Sequence, residues 1–394
     1  MSKPWKTKEE RTAEMEQISK QLEEGVKQFF TSETYKDYLK TMSKFHNYSF
    51  NNVLLIALQK PEASLVAGYT TWRNLNRFVM KGEKGIRILA PSPIKKEVER
   101  EVIDPLTKSR IKETVEQTIP LFKPTYVYDV SQTDGEPLKL PEILDLEGSV
   151  DGYEILKEAA ERIAPVPVFY EKFNGEAKGY FSPGESKIVI QNSLSELQTV
   201  KTLLHEVTHS ILHNKEKMKE NGPKDSKTKE VEAESTAFTV CTHLGLDTSD
   251  YSFPYVGIWA GEMEMPELRN VMDGIRTTAA DMIENLDREI QEIRKERAID
   301  TVANELVEFG EMLDPYDYLD YSHDRETAVR EMKDNLFIQG PANLIREIKD
   351  IIREHDSEEV TRIGGKLIQN LTQLKEEMEV KTNVKTRQKE AEAR

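Results

Sequence analysis

The sequence predicts an α+β protein: a helical N-terminal third with a small sheet, a middle part that mixes strands and helices, and a helical C-terminal extension. Three observations predict it. Apolar residues recur at three- and four-residue spacing over much of the chain, the period of a helix with one buried face. Short β-branched and aromatic runs bounded by Gly, Pro and Asp are concentrated between about 65 and 130 and again between 178 and 191. From about residue 266 the chain reads as acidic helix, broken at Pro315, Gly340-Pro341 and Gly364-Gly365.

The elements follow in order. Met15, Ile18, Leu22, Val26, Phe29 and Phe30 mark an amphipathic helix over 6–31, and Tyr35, Tyr38, Leu39 and Met42 a second over 33–46. Ser49 caps a helix that opens near Phe50, and Pro61 ends it. Leu65-Val-Ala67 is a short strand or a link, and Thr70 or Thr71 opens a short helix carrying Trp72. Arg77–Met80 and Ile86–Leu89 are strands flanking Lys81-Gly-Glu-Lys-Gly85, whose glycines permit positive φ and close approach. Residues 93–118 read as a solvent-facing hairpin around Asp104-Pro105, and Tyr126–Val130 as a strand. Residues 134–150 form a linker containing Pro and acids. Lys178–Gln191 is a hairpin turning at Pro183-Gly184. Helices follow from about Ser195, over 229–240 and over 266–298; from Glu376 the charged tail is expected to fray.

Composition bounds the function. The chain has 394 residues, 32% charged and 37% hydrophobic, with a mean hydropathy of −0.62. That length suits two or three domains. No run approaches the ~18 consecutive apolar residues of a membrane span. The first residues lack the apolar stretch of a signal peptide, and the lone Cys241 excludes an intrachain disulfide framework or a multi-cysteine zinc site. The expectation is a cytoplasmic protein without a membrane partner, with Cys241 as a small core residue. Net charge is −16, yet residues 1–100 hold 18 Lys and Arg against 12 Asp and Glu. The N-terminal third is mildly basic on an acidic protein.

Two stretches carry chemistry. The first is His205-Glu-Val-Thr-His209, flanked by Leu197, Val200, Leu203, Leu204, Val207 and Ile211 at helical spacing. On a helix, His205 and His209 lie one turn apart on one face, spaced to share a metal, with Glu206 beside them to take a proton from an activated water. Two histidines satisfied by ordinary hydrogen bonds are the alternative for the pentapeptide alone. Zinc needs a third protein ligand with a fourth position left open, and an acid-rich run, Lys229–Val240, follows some twenty residues downstream. Here Glu232 is expected to point away into solvent. His213 continues the helix without the Gly of a metzincin turn, so it lies behind the ligands or at the surface.

The second stretch, 44–87, interleaves Lys44, Arg73, Arg77, Lys81, Lys84 and Arg87 with His46, Tyr48, Tyr69 and Trp72, opposed only by Glu62 and Glu83. Cations with aromatics suit single-stranded nucleic acid, whose bases are free to stack. The alternative is that Tyr48, Tyr69 and Trp72 are core and the cations a solvated face.

The hairpin, the HExxH helix and the acidic helix together resemble the zincin-like domain of ArdC-type antirestriction proteins, with ImmA/IrrE-type metallopeptidases a more distant match. His46-Asn-Tyr-Ser-Phe-Asn-Asn52, Gly68-Tyr-Thr-Thr-Trp72, Val79-Met-Lys-Gly-Glu-Lys-Gly85 and Tyr126-Val-Tyr-Asp-Val-Ser-Gln-Thr133 occur in the order of that family's single-stranded-DNA-binding domain. At His46-Asn-Tyr-Ser the chain departs from ArdC proper and is nearer to relatives on Gram-positive conjugative elements. The resemblance implies a single-stranded-DNA-binding domain over 1–133, the linker 134–150, a gluzincin-type metallopeptidase domain over 151–265 and an acidic extension of unassigned role over 266–394. It implies Zn2+ on His205, His209 and Glu230, with Glu234 orienting a histidine; spacing alone leaves Glu230 and Glu234 interchangeable. Glu206 is then the general base. Tyr251 or Tyr255 is placed to donate to the developing oxyanion, with Tyr255 taken as the catalytic candidate and packing the other role open to both. The DNA contacts fall on Asn51, Trp72, Lys81, Lys84 and Arg87. The expected function is antirestriction by a mobile-element protein acting on single-stranded DNA and an unknown peptide or protein. The strand at Ile188-Val-Ile190 is expected to hold an extended peptide by edge addition. Two alternatives stand beside it: a non-proteolytic DNA-coating module with structural zinc, and an endopeptidase that cuts a regulator.

Overall fold

The computed structural model describes residues 8–30, 32–103, 110–119, 121–138, 150–172, 177–248, 251, 253, 256–313, 325–355 and 357–392. The chain divides into two compact units, 1–285 and 286–394.

The first unit is α+β, as the periodicity predicts. Helices α1 (Lys8–Phe29), α2 (Ser32–Lys44) and α3 (Phe50–Gln59) match the three expected helices. Next come β1 (Val66–Gly68), α4 (Tyr69–Asn74), β2 (Arg77–Val79), β3 (Ile86–Pro91), β4 (Ile94–Ile103), β5 (Arg110–Ile119), β6 (Phe122–Asp129) and β7 (Thr133–Gly135). The expected hairpin is β4–β5, antiparallel from Ile94↔Ile119 to Ile103↔Arg110. β2 and β3 flank the Lys81–Gly85 turn without pairing with each other. β2 pairs with β7, and β3 with β6, in the sheet order β1-β6-β3.

β3 ends that sheet, so the N–H and C=O groups of Arg87 and Leu89 on its outer side need partners. Helix α3 provides them. The Asn52 amide donates to Leu89 O at 2.9 Å and accepts from Leu89 N at 2.8 Å, and the Gln59 amide does the same for Arg87 at 2.9 and 3.0 Å. Asn52 and Gln59 are seven residues apart, two helical turns, which gives them one face and a spacing that matches alternate strand residues.

The second half of this unit contains α5 (Val150–Ile163), β8 (Val168–Glu171), β9 (Gly179–Ser182), β10 (Lys187–Gln191), α6 (Glu196–Leu212), α7 (Lys215–Glu220), α8 (Ser226–His243), α9 (Val256–Gly261) and the start of α10 (Met265–Leu313). The β9–β10 hairpin turns where Pro183-Gly184 predicts. β10 also pairs in parallel with β8, which makes it the central strand of the order β8-β10-β9. Ile188, Val189 and Ile190 are therefore wholly buried with both sides of their strand paired, and cannot take up a peptide as an edge. That expectation is corrected: among the described residues, the strand beside the cleft with an unpaired side is β9.

One core joins both halves. Ile18, Leu22 and Val26 of α1, Tyr35 and Leu39 of α2, and the inner residues of α3 pack with Phe238 of α8, Trp259 of α9 and Met272 of α10. Tyr35 meets Phe253 edge-on with ring centroids 5.1 Å apart, and its hydroxyl lies 2.8 Å from Ser235 Oγ of α8.

The second unit is helical: the remainder of α10, α11 (Arg325–Gln339), α12 (Pro341–Glu354) and α13 (Glu358–Glu392). Its core includes Val302 and Leu306 of α10, Leu336, Leu344, Ile348, Leu367 and Leu371. The predicted break at Gly340-Pro341 is present, with Gly340 at φ 77° and Pro341 opening α12. The break predicted at Gly364-Gly365 is absent, and α13 runs through it. A Cβ on Gly364 would lie 2.8 Å from Ile352 Cδ1 of α12, so this glycine admits a close helix contact rather than ending the helix. Pro315 lies outside the described residues, as do the side chains of the tail from 376 onward, where the backbone of α13 continues to Glu392.

Candidate metal centre

The site is built on two neighbouring helices. Ser195 caps α6 by accepting from Gln198 N, which fixes where the helix starts and so which residues face inward. Val200, Leu203, Leu204 and Val207 bury one face of α6, and His205 and His209 emerge together beside it, their Nε2 atoms 3.1 Å apart. Helix α8 brings Glu230 opposite them, Oε2 3.6 Å from His205 Nε2 and Oε1 3.5 Å from His209 Nε2. One ligand atom from each of the three residues lies within 4.8 Å of the others. Two imidazoles and a carboxylate converging on one point form a donor set that fits Zn2+ or another divalent transition metal.

Glu234, one turn beyond Glu230, lies behind His205, its Oε2 3.1 Å from Nδ1. The geometry thus separates the two acids that spacing left interchangeable: Glu230 faces the Nε2 atoms and Glu234 faces an Nδ1. Burial alone would lower the pKa of His205, but its hydrogen bonds to the Glu230 and Glu234 carboxylates push it up to about 10. The same histidines hold the Glu230 carboxyl well below its usual range. The pocket therefore favours positive charge at its centre.

Glu206 is buried beside the histidines, and the Phe181 N–H of β9 donates to its carboxylate. Burial pushes its pKa up, opposed by His205 and His209. An open cleft of about 370 Å³ leads to it, lined by Lys178, Gly179, Gln198, Lys201, Thr202, His205, Glu206, Glu234 and Tyr251. Tyr251 is nearly buried in the wall of that cleft, its ring 5.3 Å from Lys201 Nζ. Tyr255 lies outside the described residues.

Two features differ from expectation. Glu232 is 2% exposed rather than solvated, and bonds His213 Nε2 at 2.9 Å and Lys224 Nζ at 2.5 Å. It is buried because His213, at the C-cap of α6, reaches across to α8. His213 sits behind His209, the two Nδ1 atoms 2.8 Å apart. Spacing along α8 gives only Glu232's angular position; its partners come from other segments, so no sequence signal marked the contact. Cys241 is buried in α8, as composition suggested.

The nucleic-acid candidates fall in several surroundings. Lys81 and Lys84 are exposed on the turn after β2. Arg87 is half exposed, its guanidinium donating to the neutral amides of Gln17 and Gln21 at 3.2 and 2.7 Å. Asn51 is half-buried, with its Oδ1 unpartnered among the described residues. Trp72 is wholly buried and its indole N–H donates to Tyr128 O at 2.9 Å, so it is core and has no open face for a base. Tyr48 also packs against the core. Exposed rings do exist in this region: Tyr126 lies directly across from Arg87 on β6 and is 46% exposed, and Tyr69 at the start of α4 and Phe78 on β2 are more than half exposed. Tyr126 was missed because Tyr126-Val127-Tyr128 is apolar or aromatic at every position, so the sequence alone does not say which face of the strand is outward.

The fold and site define an α+β protein that joins an N-terminal helix-and-sheet region to a zincin-like HExxH helix pair. Residues 3–128 match the N-terminal domain of anti-restriction factor ArdC, and residues 162–255 match the IrrE N-terminal-like domain of the M78 peptidases. Residues 3–128 thus group with the N-terminal domain of ArdC-type antirestriction proteins and residues 162–255 with the M78 peptidase-like domains, the two in that order along the chain. An uncharacterized protein of Bacillus anthracis is 27% identical over 366 residues, which cover 84% of this chain and 61% of that protein. The chain thus spans less than two thirds of that relative's length. Crystal structures of the antirestriction ArdC protein from the R388 plasmid, metal-free and Mn(II)-bound, align with a TM-score of 0.39 at 22% and 21% identity, covering 62% of this chain and 85% of that one. No described helix is long and apolar enough to cross a membrane.

Proposed function

We propose that this chain is a zinc-dependent peptidase that also binds single-stranded DNA, and that it protects DNA entering a cell with a mobile element. The observation that carries the peptidase half is the convergence of His205, His209 and Glu230 with the buried Glu206 at the end of an open cleft. When bound there, zinc would supply Lewis-acid activation of water and of the scissile carbonyl. The chain's own residues do the rest. Glu206, held by the Phe181 N–H, accepts the proton of the attacking water and returns it to the leaving nitrogen. Its raised pKa suits both halves of that transfer. An extended peptide is held along β9, the open side of the sheet beside the cleft.

Replacing Glu206 with Gln keeps the shape and removes the base. The expected outcome is a loss of peptide cleavage of about 10²–10⁴-fold with one zinc per chain still bound, read by turnover of a peptide library and by metal analysis. Cleavage at wild-type rate in Glu206→Gln would overturn the peptidase reading. Retained protection of incoming DNA by the cleavage-dead variant would favour the DNA-coating alternative.

The DNA half rests on the cations Lys81, Lys84 and Arg87, none of which makes an ion pair among the described residues, and on the exposed Tyr126 ring directly across from Arg87. Phosphates would meet the cations and bases would stack on the ring. Tyr126→Ala is expected to weaken single-strand binding by about 1–3 kcal/mol. Lys81→Ala with Lys84→Ala is expected to flatten the salt dependence by about 1.4 in log K against log salt. Fluorescence anisotropy across a salt series reads both, and equal affinity for single-stranded and duplex oligonucleotides would count against stacking.

A further inference from the structure

The contacts behind His209 form a line: His209 Nδ1 to His213 Nδ1 at 2.8 Å, His213 Nε2 to Glu232 Oε2 at 2.9 Å, and Glu232 Oε1 to Lys224 Nζ at 2.5 Å. We propose that Lys224, Glu232 and His213 are positioning residues whose hydrogen bonds run in one direction and hold His209 in its Nδ1–H tautomer, leaving the Nε2 lone pair facing the metal. The inference rests on the metal reading above and extends it to residues outside the ligand set.

The direction follows from what each atom is able to do. Lys224 only donates, so Glu232 Oε1 accepts. The pocket is buried, with His213 and Glu232 side chains 4% and 2% exposed, and Lys224 supplies the charge that balances the carboxylate. A carboxylate Oε2 has no proton to give, so His213 Nε2 carries one and donates it. With one carboxylate already matched by one ammonium, a further charge on His213 would be unbalanced in a buried site. His213 is therefore neutral, and its Nδ1 is an acceptor. Of two Nδ1 atoms 2.8 Å apart one must donate, and that leaves His209 Nδ1–H. A neutral imidazole protonated at Nδ1 has its lone pair on Nε2, the atom that faces Glu230. His205 is oriented by a shorter route, its Nδ1 held by Glu234 so that Nε2 is the nitrogen turned toward Glu230. The two ligand histidines are thus oriented by different devices, a direct carboxylate for one and an imidazole–carboxylate–ammonium line for the other.

This direction makes an unusual substitution pair informative. In Glu232→Gln the amide oxygen is still claimed by Lys224, so the NH2 turns to His213 Nε2. The line then reverses: His213 carries its proton on Nδ1, His209 must accept there, and its Nε2 becomes protonated and unable to ligate. Removing Lys224 as well, in Glu232→Gln with Lys224→Met, frees the amide to rotate and accept from His213. Zinc affinity is measured by chelator competition on the full chain. The expected result is a loss of about 10–100-fold in Glu232→Gln and recovery of at least half of it, on a logarithmic scale, in the double variant. Glu232→Gln binding zinc like wild type, or a double variant no better than the single one, would overturn the proposal. A second readout needs no variant to keep its stability. Long-range 1H–15N spectra of the histidine-labelled wild-type chain, without added metal, report the tautomer directly: His209 protonated at Nδ1 supports the line, and protonated at Nε2 refutes it. A wild-type chain that takes up no zinc would overturn the metal reading instead, while the tautomer spectrum still decides the direction.

Discussion

Asp129 shows how much structure a single buried acid organises. It is 1% exposed, and its carboxylate accepts from the backbone N–H groups of Ser64, Leu65 and Ser131 at 2.8, 3.0 and 2.9 Å. Gln132 returns the favour, accepting from Asp129 N at 2.9 Å while its amide donates to Glu83 Oε2 and Lys84 O, each at 2.8 Å. Two of the stretches that carry the family resemblance, at Lys81–Gly85 and Asp129–Thr133, are therefore fastened to one another. Gly82 takes φ 94°, and a Cβ on Gly85 would crowd Tyr126 and Tyr128 at 3.0–3.1 Å. Burial would raise the pKa of Asp129, but the bonds from Ser131, Ser64 and Leu65 lower it overall. A carboxyl depressed in the folded state stabilises above its unfolded pKa of about 3.9, and that contribution is lost as pH falls through the folded value. Asp129→Ala leaves buried N–H groups unpaired and is expected to cost about 3 kcal/mol at neutral pH, given about 1–3 kcal/mol per unsatisfied group. The deficit should shrink below pH 4. Urea unfolding from pH 3 to 7 checks it; a deficit constant with pH would assign the loss to packing. At this scale the metal candidates were legible because helical spacing alone puts His205 beside His209 and Glu230 on one face with Glu234. Glu232 and Trp72 were not, because burial by another segment is a tertiary fact that local spacing does not encode.

Among the elements, helix existence was legible and strand pairing was not. Helices α1, α2, α3, α6 and α8 fall within a few residues of their periodicity, since a buried helical face writes itself into nearby positions. Strand partners lie far apart in sequence: β2 finds β7 and β3 finds β6, across the 94–119 hairpin. The same limit hid β8, whose parallel pairing turns β10 from an edge into a centre. The edge of β3 is closed by a helix rather than a strand, through Asn52 and Gln59. Asn52→Leu, close in volume but unable to bond, should leave both Leu89 groups unpaired and destabilise by about 2–4 kcal/mol. Gln59→Leu should cost less, because its bonds to Arg87 are exposed to water. Hydrogen exchange at Leu89 N–H checks the cause: faster exchange is expected in Asn52→Leu, with Arg87 N–H responding to Gln59→Leu instead. Equal protection in both variants would remove α3 from its role at the edge.

For the first unit as a whole, helix α8, which carries Glu230 of the candidate metal centre, is supported from the N-terminal side of the sequence. Tyr35 and the inner faces of α1, α2 and α3 meet Phe238, Phe253, Trp259 and Met272, so residues that precede the 134–150 segment complete the core around the helix carrying Glu230 and Glu234. A chain reduced to residues 150–285 would expose those large rings and lose the hydroxyl partner of Ser235. Phe and Trp side chains removed from a core typically leave a loss of about 3–5 kcal/mol each, several of which exceed the ~5–15 kcal/mol that holds a domain together. The expected outcome is that fragment 150–285 shows no cooperative unfolding and binds zinc far more weakly than the full chain, measured by near-UV circular dichroism and chelator competition. A fragment that unfolds cooperatively and keeps the full chain's zinc affinity would show that the middle region folds alone and that the N-terminal helices only rest against it. If instead the site depends on them, any ligand that stabilises the N-terminal helices and sheet also stabilises the helix that presents Glu230. Binding at the cationic, aromatic face would then raise zinc affinity, and by linkage zinc would raise affinity for the strand by the same factor.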